Sequence, residues 1–200
     1  MGIELRSGMV SRALTRWHTT SSSKLDQVAS AHSAIGGKKP GRRFATDQIN
    51  HAYLVLLAGT FQGFCRDLHT ECVSALLGSL GTAQPVEAVL LANAMHGRQL
   101  DARNATPSTI QVDFTRLGLP VLDRLKTKRP TNEKRLKNLE QLNAWRNAIA
   151  HQDFAGKSLK PAKLRLNTVT TWRRQCGILA RDLDHVMFAH LKQLAGVAPW

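Results

Sequence analysis

Apolar residues recur every three or four positions along most of the chain, the spacing that places side chains on one face of an α-helix. One long run starts at Thr46, a residue suited to cap a helix, and continues to the Gly78–Gly81 region. A second long run covers Thr168–Ala195 and stops before Gly196 and Pro199. These runs predict the two longest helices of a mostly helical chain.

Shorter helical patterns precede and separate the two long runs. Ser7–Ser33 has helical spacing interrupted at Thr19–Ser23, which predicts two short helices or one kinked helix. Pro85 suits the first turn of another helix that stops near Gly97. Val121–Lys126 predicts one or two further helical turns.

A further helix is predicted after Thr131, which can cap it, because apolar residues from Leu136 to Ile149 keep the helical period. Asp101–Pro120 has no such period. The alternation of Ile110, Val112 and Phe114 with polar residues predicts a short strand or an extended segment there. A second short extended segment is predicted at Lys163–Leu166.

These patterns together predict a mostly helical, all-α bundle of four to five helices in a single domain. Residues 1–43 are expected to form an N-terminal helical arm and a basic loop, and residues 44–200 the bundle. The loop, Gly36–Arg43, is rich in Gly, Lys and Arg. Its composition fits a solvated linker or a segment that touches phosphates.

The composition is that of an ordinary globular protein, with 42% hydrophobic and 21% charged residues among 200. No apolar run approaches the roughly 20 residues that cross a bilayer, and the N-terminus lacks an apolar signal region. We therefore expect a soluble, cytoplasmic protein with no membrane partner. The three cysteines contain no C-x-x-C pair, so a disulfide framework is not expected.

Charge changes this picture, because the formal net charge is +14. The segment Arg98–Arg174 alone holds 17 Lys and Arg residues against 6 Asp and Glu residues. Such a field attracts polyanions, so nucleic acid is the expected partner. A DNA-binding regulator is the weaker form of this expectation, since no recognition helix is apparent.

The candidate chemistry lies at the end of the helix that carries Leu136–Ile149. Asn147 and His151 are four residues apart and share a helix face, whereas Arg146 points about 140° away from His151. His transfers protons near neutral pH and Arg binds phosphate, so the set suits metal-independent attack of an RNA 2′-hydroxyl on its phosphodiester. Because Arg146 and His151 diverge, a shared site requires a helix end, a second subunit or both.

Structural roles for the same three residues remain open on the sequence alone. Arg146 would then pair with an acidic side chain, His151 would cap the helix, and Asn147 would face solvent. A separate set, Cys65, His69 and Cys72, has the i, i+4, i+7 spacing that reaches one metal ion. No fourth ligand is evident for it, so we expect no metal and no cofactor.

The segment Trp145–His151, W-R-N-A-I-A-H, resembles the signature of the HEPN superfamily, an Arg followed after four to six residues by His. The segment Leu54–Leu68 also resembles the long first helix of the subgroup known as RiboL-PSP-HEPN. The resemblance covers roughly residues 46–195. It implies an α-helical up-and-down bundle that forms homodimers, so that two Arg/His sets line one cleft.

Many members of this superfamily are metal-independent endoribonucleases that act as toxins or in defence against phage. By resemblance, Arg146 stabilises the scissile phosphate, His151 acts as general base or acid, and Asn147 assists. RNA is then the substrate and an antitoxin a further partner, although Asp153 stands where some HEPN toxins carry a Tyr that the antitoxin modifies. Other members have lost catalysis and bind RNA or protein.

A basic cluster just before the key helix is the candidate for additional substrate contacts. Its members are Lys126, Lys128 and Arg129. We expect these side chains to bind RNA phosphates.

Overall fold

The first helical segment is continuous through its polar interruption. In the computed structural model, which describes residues 10–36, 43–81, 83–154 and 159–200, α1 (Arg12–Arg16) continues through a π-helical turn (Trp17–Ser21) into α2 (Ser22–Gly36). The π turn lies where the apolar spacing is broken, and it keeps Trp17 buried. The expected basic loop falls mainly at residues 37–42, outside the described residues.

Helix α3 (Arg43–Ser79) is 37 residues long and contacts α1, α2, α4, α8 and α9. The expectation that Thr46 caps it is wrong, because the helix begins at Arg43 and Thr46 lies within its first turn. Asp47 follows one residue beyond the first turn, which holds no acidic residue. A Thr-Asp pair therefore marks the beginning of the helix without fixing its first residue.

The chain then forms α4 (Gln84–Met95), α5 (Gln99–Ala102) and α6 (Pro107–Thr115). Helix α4 has Pro85 in its first turn and ends before Gly97, which has φ +67, as the sequence predicts. Although α4 is rich in apolar residues, none of them is buried. Its exposed face includes Val86 and Val89.

Helix α6 corrects the prediction of an extended segment around Ile110. Thr106 caps it by accepting a hydrogen bond from the Thr109 backbone N–H at 3.2 Å, and Pro107 occupies the first turn. Ile110 and Phe114 are 2% and 0% exposed, one turn apart, whereas Val112 is 45% exposed. The alternation that predicted a strand therefore has another origin: Ile110 and Phe114 lie on the buried face of a helix, and Val112 lies on its surface.

Three helices complete the bundle: α7 (Val121–Lys128), α8 (Asn132–His151) and α9 (Leu166–Ala195). Thr131 precedes α8 but makes no capping hydrogen bond, since its hydroxyl accepts from Arg135 instead. Helix α9 ends at Gly196 with φ +74, as predicted. The extended segment predicted at Lys163–Leu166 is wrong at Leu166, which is the first residue of α9, whereas Arg165 has extended backbone.

The structure confirms the all-α class, and the described residues contain no strand. Its core is a single cluster between α3, α8 and α9, to which the N-terminal helices contribute Ala13, Leu14, Trp17 and Leu25. Residues 12–36 are thus packed into the bundle. The α3–α8–α9 packing fixes the position of the C-terminal end of α8.

Two acidic side chains hold the start of α1 against the bundle. Asp184 of α9 accepts a hydrogen bond from the Ser11 backbone N–H at 3.1 Å. Glu71 of α3 accepts from the backbone N–H groups of Arg12 and Ala13 at 2.8 and 3.1 Å. Carboxylates at this position match the positive end of the helix dipole.

The buried Asp184 predicts a pH-dependent stability. Burial raises its pKa from 3.8 to about 6, so the folded chain holds this proton more tightly than the unfolded chain. Stability should therefore fall as the pH rises from about 4 to about 6. Asp184→Asn should increase the free energy of unfolding at pH 7.5 by on the order of 2 kcal/mol and change it little below pH 4. Urea denaturation at both pH values measures this, and an equal effect at both would contradict it.

Candidate functional site

The C-terminal end of α8 has a defined structure that exposes His151. The helix ends at His151, and Gln152 adopts the left-handed conformation with φ 53. Gln152 is the one non-glycine residue with positive φ in the described part of the chain. The backbone N–H groups of Gln152 and Asp153 donate to Ile149 and Ala148 carbonyls at 3.3 and 3.0 Å. A left-handed non-glycine residue stores strain, which is often found at functional sites.

Arg146 lies half-buried in the last turns of α8. Its Nη1 donates a hydrogen bond to Asn147 Oδ1 at 3.3 Å. No ion pair of Arg146 with an acidic residue occurs among the residues that the structure describes. The structural role considered for Arg146, an ion pair with an acidic side chain, is therefore not observed among the described residues. A guanidinium without a counter-ion attracts an anionic ligand.

Asn147 has a structural partner that the sequence does not indicate. Its Oδ1 accepts a hydrogen bond from Asn104 Nδ2 at 2.7 Å, in the connection between α5 and α6. One turn earlier, Asn143 donates to the Ala105 carbonyl at 3.1 Å. The α5–α6 connection thus covers part of the α8 face on which Asn143 and Asn147 lie. Asn147 orients Arg146 and also anchors this connection.

His151 differs from Arg146 and Asn147 because its side chain is exposed. In residues 10–36, 43–81, 83–154 and 159–200, no hydrogen bond or ion pair engages its imidazole. It does not cap α8 in the described part of the chain, where Gln152 and Asp153 donate to the Ala148 and Ile149 carbonyls. Among the described residues, the arrangement therefore offers an unengaged imidazole in the last turn of the helix that holds an Arg without an acidic partner.

The Asn104–Asn147 hydrogen bond predicts which asparagine is structural. Asn104→Ala should lower the free energy of unfolding by about 1 kcal/mol, because Asn147 loses its partner across the two elements. Urea denaturation of Asn104→Ala, Asn147→Ala and the double variant gives the coupling between them. Strict additivity of the two single effects would show that the two side chains do not interact in solution.

Two of the three residues of the basic cluster, Lys126 and Arg129, form ion pairs. Arg129 Nε donates to Asp182 Oδ2 at 2.9 Å, so Arg129 joins the start of α8 to α9. Lys126 pairs with Asp123 at 3.7 Å. Lys128 has no acidic partner among the described residues. Of the three predicted substrate-binding residues, Lys128 is therefore the most available to an RNA phosphate.

Lys128 lines a groove between α7 and α9 with a volume of about 270 Å³. Arg124 and His185 line the same groove, and no acidic residue does. This cationic groove lies at the opposite end of α8 from His151. Because α8 has 20 residues, its ends are roughly 30 Å apart. The structure does not bring the basic cluster and Arg146–His151 to one phosphate within a single chain.

The spaced set Cys65, His69 and Cys72 does not form a metal site. His69 donates from Nε2 to the Asp113 carbonyl at 3.1 Å, and burial lowers its pKa to about 4. Burial also raises the pKa of both thiols well above the ordinary value, and both side chains belong to the hydrophobic core. No group of three or more candidate ligands that could hold a metal ion occurs within the described ranges.

Two features of this site escape sequence reasoning. Asn104 is 43 positions before Asn147, and no periodic pattern relates them. The left-handed Gln152 replaces the Gly or Asn that usually marks such a helix end. A polar residue after the last apolar position is too common a signal to identify it.

Comparison with protein-family models, with curated proteins and with solved structures gives no match to this chain. The resemblance of Trp145–His151 to the HEPN signature therefore depends on those residues and their placement alone. Within the part of the chain that the structure describes, no helix combines the length and apolar character that crossing a membrane requires.

Proposed function

We propose that this protein is a metal-independent endoribonuclease of HEPN type. The observation that carries the proposal is the pairing of a half-buried Arg146, without an acidic partner in the described residues, with an exposed His151 at the end of the same helix. Arg146 is held by Asn147, which restricts its direction. The net charge of +14 favours an RNA substrate over a neutral one.

In the proposed reaction, His151 accepts the proton of a ribose 2′-hydroxyl, whose oxygen attacks the adjacent phosphorus. The bond from phosphorus to the 5′-oxygen breaks, and that oxygen takes a proton from an imidazolium. Arg146 stabilises the charge that develops on the phosphoryl oxygens. The products are a 2′,3′-cyclic phosphate and a free 5′-hydroxyl, and no water, metal or oxidant is consumed.

The divergence of Arg146 and His151 on one helix supports a homodimeric site. Residues five apart on a regular helix point about 140° away from each other. Two chains that meet at the ends of α8 supply one imidazole as base and the other as acid. Sedimentation at increasing protein concentration tests the dimer independently of activity.

The decisive test of the function is the chemistry of the products. Purified protein is incubated in EDTA with an RNA of mixed sequence carrying a 5′ label. We expect upstream fragments that keep the 5′ label and end in a cyclic phosphate, and downstream fragments whose new 5′-hydroxyl polynucleotide kinase can phosphorylate. A His151→Ala preparation purified identically controls for contaminating ribonuclease. Equal cleavage by both preparations would refute the proposal.

A catalytically silent module that binds RNA or a protein is the second candidate. It is favoured by helix α4, where apolar residues such as Val86 and Val89 remain exposed, as at a protein interface. It is also favoured by the structural use of Asn147. Salt-sensitive RNA binding without product, unchanged in His151→Ala, would select this candidate.

A further inference from the structure

A groove of about 440 Å³ lies beside the end of α8, between the start of α3 and the segment that precedes α9. Three rings line one part of it: His51, Trp145 and Phe154. The His51 and Phe154 rings are stacked, with centroids 5.8 Å apart and planes inclined by 21°. The Trp145 ring is 6.2 Å from each of them.

The three rings differ in how they are held. Trp145 is 4% exposed, and its Nε1 donates to the Pro161 carbonyl at 3.2 Å. Phe154 is 40% exposed although it belongs to the same ring cluster. Trp145 thus fixes the cluster, while Phe154 leaves part of its ring open to a planar ligand.

The remaining lining of the groove is polar and charged. Asp47 and Gln48 contribute a carboxylate and an amide from the first turns of α3, and Lys163 Nζ lies 3.8 Å from Asp47. Donors and acceptors next to an aromatic surface match the edges and the face of a nucleobase. A purely aliphatic ligand would leave these polar groups unpaired.

A cationic segment follows the groove along the chain, and we call its exposed residues Lys160 and Arg165 the cationic rim. Residues 159–181 contain six Lys and Arg residues and no Asp or Glu, and of these six Lys163 and Arg173 pair with Asp47 and Asp26. An RNA backbone that follows this rim places its phosphates on cations while a base enters the groove.

We propose that the groove holds one unpaired base of an RNA strand, stacked on Phe154. This inference rests on the proposed function, because RNA is taken as the ligand. Trp145 immediately precedes Arg146, and Phe154 follows His151 by three residues. A base held here sets which phosphate reaches the end of α8, so the groove gives cleavage a base preference.

The test measures binding without turnover, in the His151→Ala background. Fluorescence anisotropy measures the Kd of labelled r(A)9, r(U)9 and r(C)9. The three nonamers are compared on the protein with intact Phe154 and on its Phe154→Leu and Phe154→Tyr variants. Phe154→Leu should weaken binding of the preferred nonamer by roughly ten-fold, and Phe154→Tyr should retain it. The salt dependence of Kd should not change, because no charge is removed.

Two controls separate stacking from charge and from folding. Lys160→Gln should weaken all three nonamers similarly and reduce the salt slope by about one. An abasic nonamer with the same number of phosphates tests stacking without any change in the protein. The chain with intact Phe154 should bind it roughly ten-fold more weakly than it binds the preferred nonamer.

The inference is overturned when the abasic and base-bearing nonamers bind equally, or when Phe154→Leu binds as tightly as the parent. RNA cleavage that is independent of Phe154 in rate and base preference would also overturn it while leaving the nuclease intact. Base-dependent binding through Phe154 together with inactivity of the His151-intact chain would instead refute the nuclease and retain the groove.

Discussion

His151→Ala is expected to lower the rate of RNA cleavage by roughly 10²- to 10⁴-fold, the usual contribution of a general acid or base. The imidazole is exposed and makes no hydrogen bond within the described residues, so its removal leaves the packing of the bundle unchanged. The loss should therefore appear in the rate of the chemical step. Single-turnover cleavage with excess protein measures this rate directly.

Arg146→Ala should lower the rate of RNA cleavage by a similar factor, and the size of the loss should depend on the residue that replaces Arg146. Arg146→Ala removes the charge and the fork of donors, whereas Arg146→Lys keeps the charge and should retain part of the rate. Lys134→Ala is the matched control, since it removes one positive charge from an exposed position of the same helix. Lys134→Ala should change cleavage only a few-fold.

These results depend on an intact fold, which circular dichroism and the midpoint of urea unfolding verify for each variant. Cleavage by Arg146→Ala at the rate of Lys134→Ala would show that Arg146 does not stabilise the reacting phosphate. In that case the unpaired guanidinium serves binding or packing alone.

Trp17→Ala is expected to lower the free energy of unfolding by about 3–5 kcal/mol, as for other buried aromatic residues cut to Ala. Trp17 is 3% exposed, and its ring meets the edges of Phe61 and Phe64 at centroid distances of 5.8 and 6.0 Å. On its other side, Trp17 Nε1 lies near Gly177 of α9. The substitution thus leaves a cavity between three elements.

Urea denaturation followed by circular dichroism measures the effect of Trp17→Ala. Trp17→Phe should cost less because it keeps an aromatic ring in the cavity. Val112→Ala provides an exposed control that should remain within about 0.5 kcal/mol of the parent. A loss below about 1 kcal/mol for Trp17→Ala would mean that the N-terminal helices unfold separately from the bundle.

The long helices are predictable from sequence because their buried faces repeat over many turns. Helix α9 matches its predicted ends within two residues, and α3 is recognised although its first residue is not. Helix α6 is missed because nine residues give too few repeats to separate a helix from a strand. The Thr-Pro pair at residues 106 and 107 is the local signal that would have identified it.

The candidate site is predictable only in its types of residue. Spacing along α8 predicts that Arg146 and His151 diverge on the helix, and the structure ends α8 at His151. Spacing cannot show that Asn147 is bonded to Asn104 or that Arg129 is paired with Asp182. Both contacts join residues more than 40 positions apart, so they depend on tertiary packing.

The separation of the two cationic regions by α8 sets how long an RNA strand in stacked, helical form must be to reach both regions. The Lys128 groove and His151 lie at opposite ends of a 20-residue helix. At 3.4 Å per nucleotide along a helical strand, roughly 30 Å corresponds to about nine nucleotides. A tetranucleotide can occupy one end of α8 only, whereas a strand of about ten nucleotides can bridge both. The contribution of Lys128 to affinity should therefore begin only above that length.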